Sequence, residues 1–244
     1  MIKLCLIFNI CFLFIFISCH KKEKKLPLKS SEELSYESLG GGVLWLTKNY
    51  FNYINTNYNG TLYSSQCFFF SKPENINNDS IGLAIKIGTV TVNNKDMSID
   101  RFNNGFRYLN HENIVSLPMD FSIKSQDGNN LLFYRDYGDK LPSFSNYSDI
   151  PNSINMHTGF TFTLNNVLNT SSVTVAFYGT SIVRTFTNNV IYFPPATLDS
   201  IGASSYQILM IYLQNANVYD YQVNGKKFEC NYSSNFEYRG ISIY

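Results

Sequence analysis

Charge is scarce in this chain. Lys, Arg, Asp and Glu make up 15% of its 244 residues, and the charge present is unevenly placed. Residues 20–29 hold five Lys against one Glu, while residues 30–244 hold 13 basic against 17 acidic side chains, a net of −4. A body of that sign lacks the basic footprint that grips a phosphate backbone, so nucleic acid is not an expected partner. Histidine is rarer still, with three in the chain, and the two in the body, His111 and His157, are 46 positions apart. With no clustered Cys beside them they give no zinc spacing, and no metal or other cofactor is expected. A Gly-x-Ser-x-Gly nucleophile elbow is missing too: Gly179-Thr180-Ser181 and Gly202-Ala203-Ser204 each lack the second Gly. A triad built in space from either His stays open, because such sets need not be close in sequence. An ordinary loop histidine is the plainer reading, and the chain is not expected to be an enzyme.

Long helical periodicity is also lacking. Strand signals recur every ten or so residues instead. Phe160, Phe162 and Leu164 alternate with Thr161 and Thr163, and Val173, Val175 and Phe177 alternate likewise, each pattern giving one apolar and one polar face. Ile208 to Leu213 is a continuous apolar run, read as a strand buried on both faces. Aromatic content is high, with 20 Phe and 18 Tyr, and Asn occurs 30 times. The 44% apolar share is enough for a core.

Three turns set register. Asn224-Gly225 suits a type I′ turn, whose two central residues both take positive φ. It pairs Val223 with Lys226, Tyr221 with Phe228 and Tyr219 with Cys230, and puts the last four of these on the core face. Asp127-Gly128 sets Ile123 against Leu132 and Phe121 against Tyr134, and Asn93-Asn94 sets Val90 opposite Met97. The apolar parity of residues 85–92 flips at Gly88, which a bulge there would explain. Pro194-Pro195 ends a strand, and a helical turn is expected near 196–202, closed by Gly202. Together these predict an all-β body, an antiparallel β-sandwich, Ig-like or related, of ten to fourteen strands. If the body divides, the break falls near 110–117.

Several groups invite a chemical reading. Asp136-Tyr137-Gly138-Asp139 could offer oxygens to Ca²⁺, but it lacks the repeated Asp/Asn spacing and closing Glu of a calcium loop and reads better as a glycine turn. The acids Asp120, Asp136, Asp139, Asp149, Asp199 and Asp220 are scattered, and no two can be set across a cleft from sequence. Gly40-Gly41-Gly42 lacks the Gly-Lys-Ser/Thr of a phosphate loop and precedes a strand, so it reads as a flexible join. Between Asn49 and Tyr63 the chain is dense in Asn and Tyr. Tyr50, Tyr53 and Tyr58 are candidate binding residues there, since Tyr offers an apolar face with a polar tip and Asn both donates and accepts. Amphipathic strand followed by an Asn-Gly turn accounts for the same pattern.

Of five Cys, Cys5 and Cys11 lie in the first 18 residues and Cys19 follows them. Cys67 and Cys230 remain, either as a single disulfide or as two buried thiols. The first 18 residues form a secretory leader: Lys3, then Leu4 to Ile17 almost wholly apolar, too short to span a bilayer. Phe16-Ile17-Ser18-Cys19 resembles the lipobox of bacterial lipoproteins, with Phe16 in place of the usual Leu. The resemblance covers only this leader. It implies cleavage before Cys19, a diacylglycerol on its sulfur and an acylated amino group (palmitate among the chains), so the bilayer itself becomes a partner. The layout of the body is loosely similar to that of β-sandwich envelope lipoproteins of unassigned function, a likeness that carries no functional residues.

The expected organisation is thus a signal peptide at 1–18, a Lys-rich tether at 19–40 and a β-sandwich body at 41–244. The expected function is a membrane-anchored envelope lipoprotein, in the bacterial outer membrane, with a non-catalytic binding or structural role toward a protein or glycan of the envelope. A polysaccharide hydrolase is the alternative.

Overall fold

The computed structural model describes residues 39–54, 58–76, 82–114, 117–124 and 130–244. The leader, the tether through residue 38 with Cys19, and the Asp127-Gly128 turn lie outside those residues. The described residues belong to one compact unit. Among the described residues there are fifteen strands: β1 (Gly41–Tyr53), β2 (Tyr58–Phe70), β3 (Thr89–Val92), β4 (Lys95–Asp96), β5 (Ser98–Phe102), β6 (Gly105–Ile114), β7 (Met119–Lys124), β8 (Asn130–Asp136), β9 (Ser153–Ile154), β10 (Phe160–Thr163), β11 (Ser172–Phe177), β12 (Val183–Phe186), β13 (Val190–Phe193), β14 (Ser204–Val223) and β15 (Lys226–Ile243). A short helix, α1 (Pro195–Asp199), follows Pro194, where the sequence predicts a helical turn. The fold is all-β and sandwich-like.

One nine-stranded sheet organises the molecule, in the order β12-β11-β14-β15-β1-β2-β6-β5, with β9 continuing beside the end of β15. A four-stranded sheet, β4-β3-β7-β8, and a two-stranded one, β10-β13, complete it. The large sheet is mixed rather than purely antiparallel. β1 runs parallel to β15 from Gly41 beside Lys227 to Tyr53 beside Arg239. No local turn can make such a pair, which needs a crossover, here the whole intervening chain.

The last hairpin is its spine. Asn224 and Gly225 take φ of 50° and 76°, and Val223, Tyr221 and Tyr219 pair with Lys226, Phe228 and Cys230 as expected. Asn93 and Asn94 also have positive φ, and the Met97 N–H donates to the Val90 carbonyl at 2.8 Å. Phe121 pairs with Tyr134, but a bulge beside Phe121 moves Ile123 from Leu132 to Leu131. At Gly88 the structure has a bend rather than a bulge, and β3 begins only at Thr89. Ile87 is held there by its N–H donating to the Tyr108 hydroxyl at 2.8 Å.

Alternation along β1 and β15 gives the large sheet an inner and an outer face. The inner face carries two cores side by side. Leu44, Leu46, Cys67, Phe69, Phe228, Cys230 and Tyr232 pack with Val90, Val92, Phe121, Ile123 and Phe133 of the four-stranded sheet. The Phe133 ring lies 5.7 Å from Phe69 and 5.3 Å from Phe228. Farther along, Tyr50, Leu209, Ile211, Leu213, Phe236 and Tyr238 pack with Phe160, Phe193 and Leu198 from β10, β13 and α1. Between the long strands, Ile87 to Leu141 serve the first core and Phe144 to Leu213 the second, while β1 and β15 run from one core into the other; β6 continues the large sheet to Ile114. The run Ile208–Leu213 is buried on this face only: Leu209, Ile211 and Leu213 are enclosed while Ile208, Met210 and Tyr212 are half-buried on the outer one. Val173, Val175 and Phe177 are buried, and Phe160 and Leu164 are buried with Phe162 half-buried between the exposed Thr161 and Thr163, as the alternation predicts.

Gly40–Gly42 is not a loose join. A Cβ on Gly41 would stand 1.7 Å from the Lys227 carbonyl oxygen, and one on Gly42 would stand 2.7 Å from that of Phe68. Glycine is needed because the backbones of neighbouring strands close in on both sides.

Candidate functional site

Cys67 and Cys230 are buried free thiols, so the disulfide left open by the sequence is not made. Both pair with Leu44, Cys67 from β2 and Cys230 from β15. With Leu44 between them they sit two strand spacings apart, about 10 Å, beyond the ~7 Å Cα limit for a bridge. Burial, and then Cys230 itself, pushes the Cys67 thiol well up, and burial pushes Cys230 up to about 12.

The three candidate tyrosines do not form one surface. Tyr50 is an inner-face core residue, edge-on to Tyr147 at 4.8 Å. Tyr53 is of opposite parity and lies on the outer face, its ring 4.9 Å from the Arg239 guanidinium. Tyr58 pairs with Tyr53 through the backbone, and its side chain lies outside the described residues, as does that of His111. His157 is exposed and its Nδ1 is 3.9 Å from Asp199 Oδ1, a solvent-washed pair. Asp136 and Gly138 form the expected turn, the Gly138 N–H donating to Asp136 Oδ1 at 2.7 Å. Asp139 pairs instead with Lys140. Among the described residues no group of three or more His, Cys, Asp or Glu is placed to hold a metal ion.

Asp136 anchors a network that composition alone does not announce. It is buried, and its Oδ2 accepts from the Tyr232 hydroxyl at 2.6 Å and lies 3.0 Å from that of Tyr134. The two hydroxyls are themselves 2.6 Å apart. Three contacts share two hydroxyl protons, so the two short ones define a relay, Tyr134 to Tyr232 to Asp136. Burial drives the Tyr232 and Tyr134 hydroxyls far above their ordinary values, with Cys230 adding to it. Tyr221 stacks on Tyr134 at 4.4 Å and closes the group from the β14 side. The signal available in the sequence was the shared parity of Tyr134 and Asp136, which puts both on the face of β8 that meets the core.

The outer face of the large sheet has another chemistry. Row by row across β2, β1, β15 and β14, Gln66, Trp45 and Asn231 are followed by Ser64, Thr47, Ser233 and Gln214, then by Leu62, Asn49, Asn235 and Tyr212. Side chains are hydrogen-bonded along these rows. The Thr47 and Ser233 hydroxyls are 2.9 Å apart, Asn235 Nδ2 donates to Asn49 Oδ1 at 3.0 Å, and Asn49 Nδ2 donates to Ser64 Oγ at 3.0 Å. The next two rows bring Glu237 and Arg239, which pair with each other. Asn231 Nδ2 is buried with no hydrogen-bond partner, a state that costs about 1–3 kcal/mol when nothing fills it.

Comparison with protein families, with curated proteins and with solved structures finds no match in any of the three.

Proposed function

We propose that this chain is a lipoprotein of the bacterial outer membrane, anchored through an acylated Cys19, whose β body binds an envelope partner rather than catalysing a reaction. The observation that carries the reading is where the polar chemistry lies. The groups with most reactive potential, Asp136, Tyr232, Cys67 and Cys230, are enclosed in a core, while the other face of the large sheet is built from neutral amides, hydroxyls and rings, half-buried at Asn49 and Asn235 and nearly enclosed at Thr47 and Ser233. Enclosed groups do not meet a substrate; ordered neutral donors and acceptors suit recognition. The leader supports the address, and the Lys-rich stretch behind it suits a solvated tether beside a lipid surface. Two or more acyl chains hold a protein stably, at about 0.8 kcal/mol per buried CH₂.

Labelled palmitate fed to expressing cells tests the anchor. Incorporation that Cys19→Ala abolishes, with the wild type in the membrane fraction, supports it; an unlabelled protein, or one with the leader still attached, rejects it. Affinity capture from intact envelopes followed by mass spectrometry then identifies the partner.

A further inference from the structure

β14 outruns the strand beside it. Of its twenty residues, β11 covers 209–214, while β15 follows the other side to Val223. Past Gln214 the Ser171 hydroxyl accepts from the Ala216 N–H at 2.9 Å, and the cover ends there. A bulge follows between Asn215 and Tyr219. Over residues 219–223 the strand is regular again and has, among the described residues, a neighbour on the β15 side alone. The turn fixes where its free backbone groups point. Val223 and Lys226 flank a two-residue loop and exchange both hydrogen bonds, and the Tyr221–Phe228 and Tyr219–Cys230 pairs repeat the pattern. The Lys227 N–H accordingly turns the other way, to the Gly40 carbonyl. The N–H and C=O groups of Asp220 and Gln222 therefore point out of the sheet, where no described residue meets them.

Strands that end a sheet are commonly guarded by charge, above all Lys, or by Pro. β4, β5, β8 and β12 follow that rule with Lys95, Arg101, Arg135 and Arg184. Residues 216–223 of β14 hold no Lys, Arg or Pro. This edge is open to solvent: Val218 is 47% exposed, and Asp220 and Gln222 are exposed as well. On the inner side the half-buried Tyr219, Tyr221 and Val223 form the margin of the first core, with Tyr134 stacked on Tyr221. On the outer side stands Asp220. Lys227 is 3.5 Å from it but 2.6 Å from Glu229, so one ammonium serves two carboxylates and negative charge remains at the edge.

We infer that residues 219–223 of β14 receive an extended peptide segment of an envelope protein as an added strand, with apolar side chains at alternate positions and basic ones between. The inference rests on the envelope-binding reading above and names its surface and the chemistry of its partner. Backbone bonds to Asp220 and Gln222 give affinity, and the alternate side chains give selectivity. In a strand laid there, every second side chain falls beside Tyr219 and Tyr221, and the others fall beside Asp220. A second copy of this chain suits the edge poorly. It would bring another Asp220, and another body of net −4, against the first.

The test uses the full-length lipidated protein in a non-ionic detergent and a fluorescent heptapeptide with valine at alternate positions and lysine between, followed by anisotropy. Saturable binding is expected, with severalfold weaker binding of the same peptide carrying glutamate in place of lysine. Only every second N–H of an added strand faces β14. Of two further forms, N-methylated on the valines or on the lysines, one should therefore bind and the other should not. Asp220→Asn is expected to weaken the lysine peptide severalfold. Gln222→Pro removes an outward donor at a place where an edge strand tolerates Pro, and it should abolish binding at an unchanged melting temperature; should it unfold, Asp220→Asn and the N-methylated pair decide. No binding up to millimolar concentration, equal binding of the lysine and glutamate peptides, or equal binding of both N-methylated forms overturns the inference. A dimer that grows with protein concentration and is lost in Gln222→Pro also overturns it, because a second copy then holds the edge. Palmitate content of the same preparation separates the two readings. A lipidated protein that ignores the peptides sinks the strand-addition edge and leaves the anchor standing, whereas a peptide-binding protein without lipid does the reverse.

Discussion

Removing a single hydroxyl from the Tyr134–Tyr232–Asp136 relay gives a sharp test of the packing described above. Tyr232→Phe keeps the ring and deletes the donor 2.6 Å from the Asp136 carboxylate. A hydrogen bond to a charged acceptor is worth about 1.5–3 kcal/mol, and the loss is partly recovered because the Tyr134 hydroxyl, 3.0 Å from the same oxygen, can turn to it. Tyr134→Phe removes only the hydroxyl-to-hydroxyl bond at 2.6 Å, about 1 kcal/mol. The double variant loses the rescue and leaves the carboxylate with the Gly138 N–H. Its cost should exceed the sum of the two single costs by about 1 kcal/mol, within the range for residues sharing one partner. Urea unfolding of the full-length protein followed by Trp45 emission measures all three. In a body of this size each kcal/mol moves the melting temperature by about 2–4 °C. Additive costs, or a Tyr134→Phe variant less stable than Tyr232→Phe, would refute the relay.

Stability should also fall at alkaline pH. The Cys67, Cys230, Tyr134 and Tyr232 protons are held above their ordinary values in the fold. Their contribution is complete below the unfolded thiol value of about 8.5 and is lost as pH rises toward the folded values, about 12 for Cys230. Urea midpoints from pH 7 upward should therefore decline, and Cys230→Ala should flatten the decline. Lys48 behaves oppositely, since burial lowers its folded value. Its cost is present at neutral pH and is relieved as pH rises through the folded value toward the ordinary one. Lys48→Met should raise the midpoint at pH 7 and lose that advantage at high pH. Gly42→Ala, with its Cβ 2.7 Å from the Phe68 carbonyl oxygen, should cost about 2 kcal/mol or more, measured by thermal unfolding. Gly225→Ala meets no neighbour but sits at φ +76°, and about 1 kcal/mol is expected there.

Much of the fold was readable locally. The Asn224-Gly225 turn carries its register because positive φ at two successive positions leaves few alternatives, and the alternation in β10 and β11 names the buried side chains. What could not be read is which distant strands meet. Nothing near Leu44 says that Cys67 will lie on one side of it and Cys230 on the other, so the spacing that forbids a disulfide was hidden. Gly40–Gly42 looked loose because glycine runs do in isolation; the Lys227 and Phe68 carbonyls that crowd it come from other parts of the chain. The separation of Tyr50 from Tyr53 was available all along in the odd difference of their numbers. Strand period places them on opposite faces, and the density of Tyr and Asn drew attention away from it. The outer-face amides were visible as composition, but their assembly into rows needed the β1–β15 pairing.

That pairing has a consequence for how the protein comes into being. Thr47 and Ser233, joined across it, are 186 residues apart, so β1 leaves the ribosome long before its neighbour exists. Until the eighteen residues of β15 arrive, one flank of β1 has nothing to hold, and the core beneath it is open. Loop closure over such a span is slow. A chain truncated even at Tyr219 would have every early strand and no means of closing the sheet, which makes synthesis all-or-nothing and ties the quality of the whole body to its last hairpin.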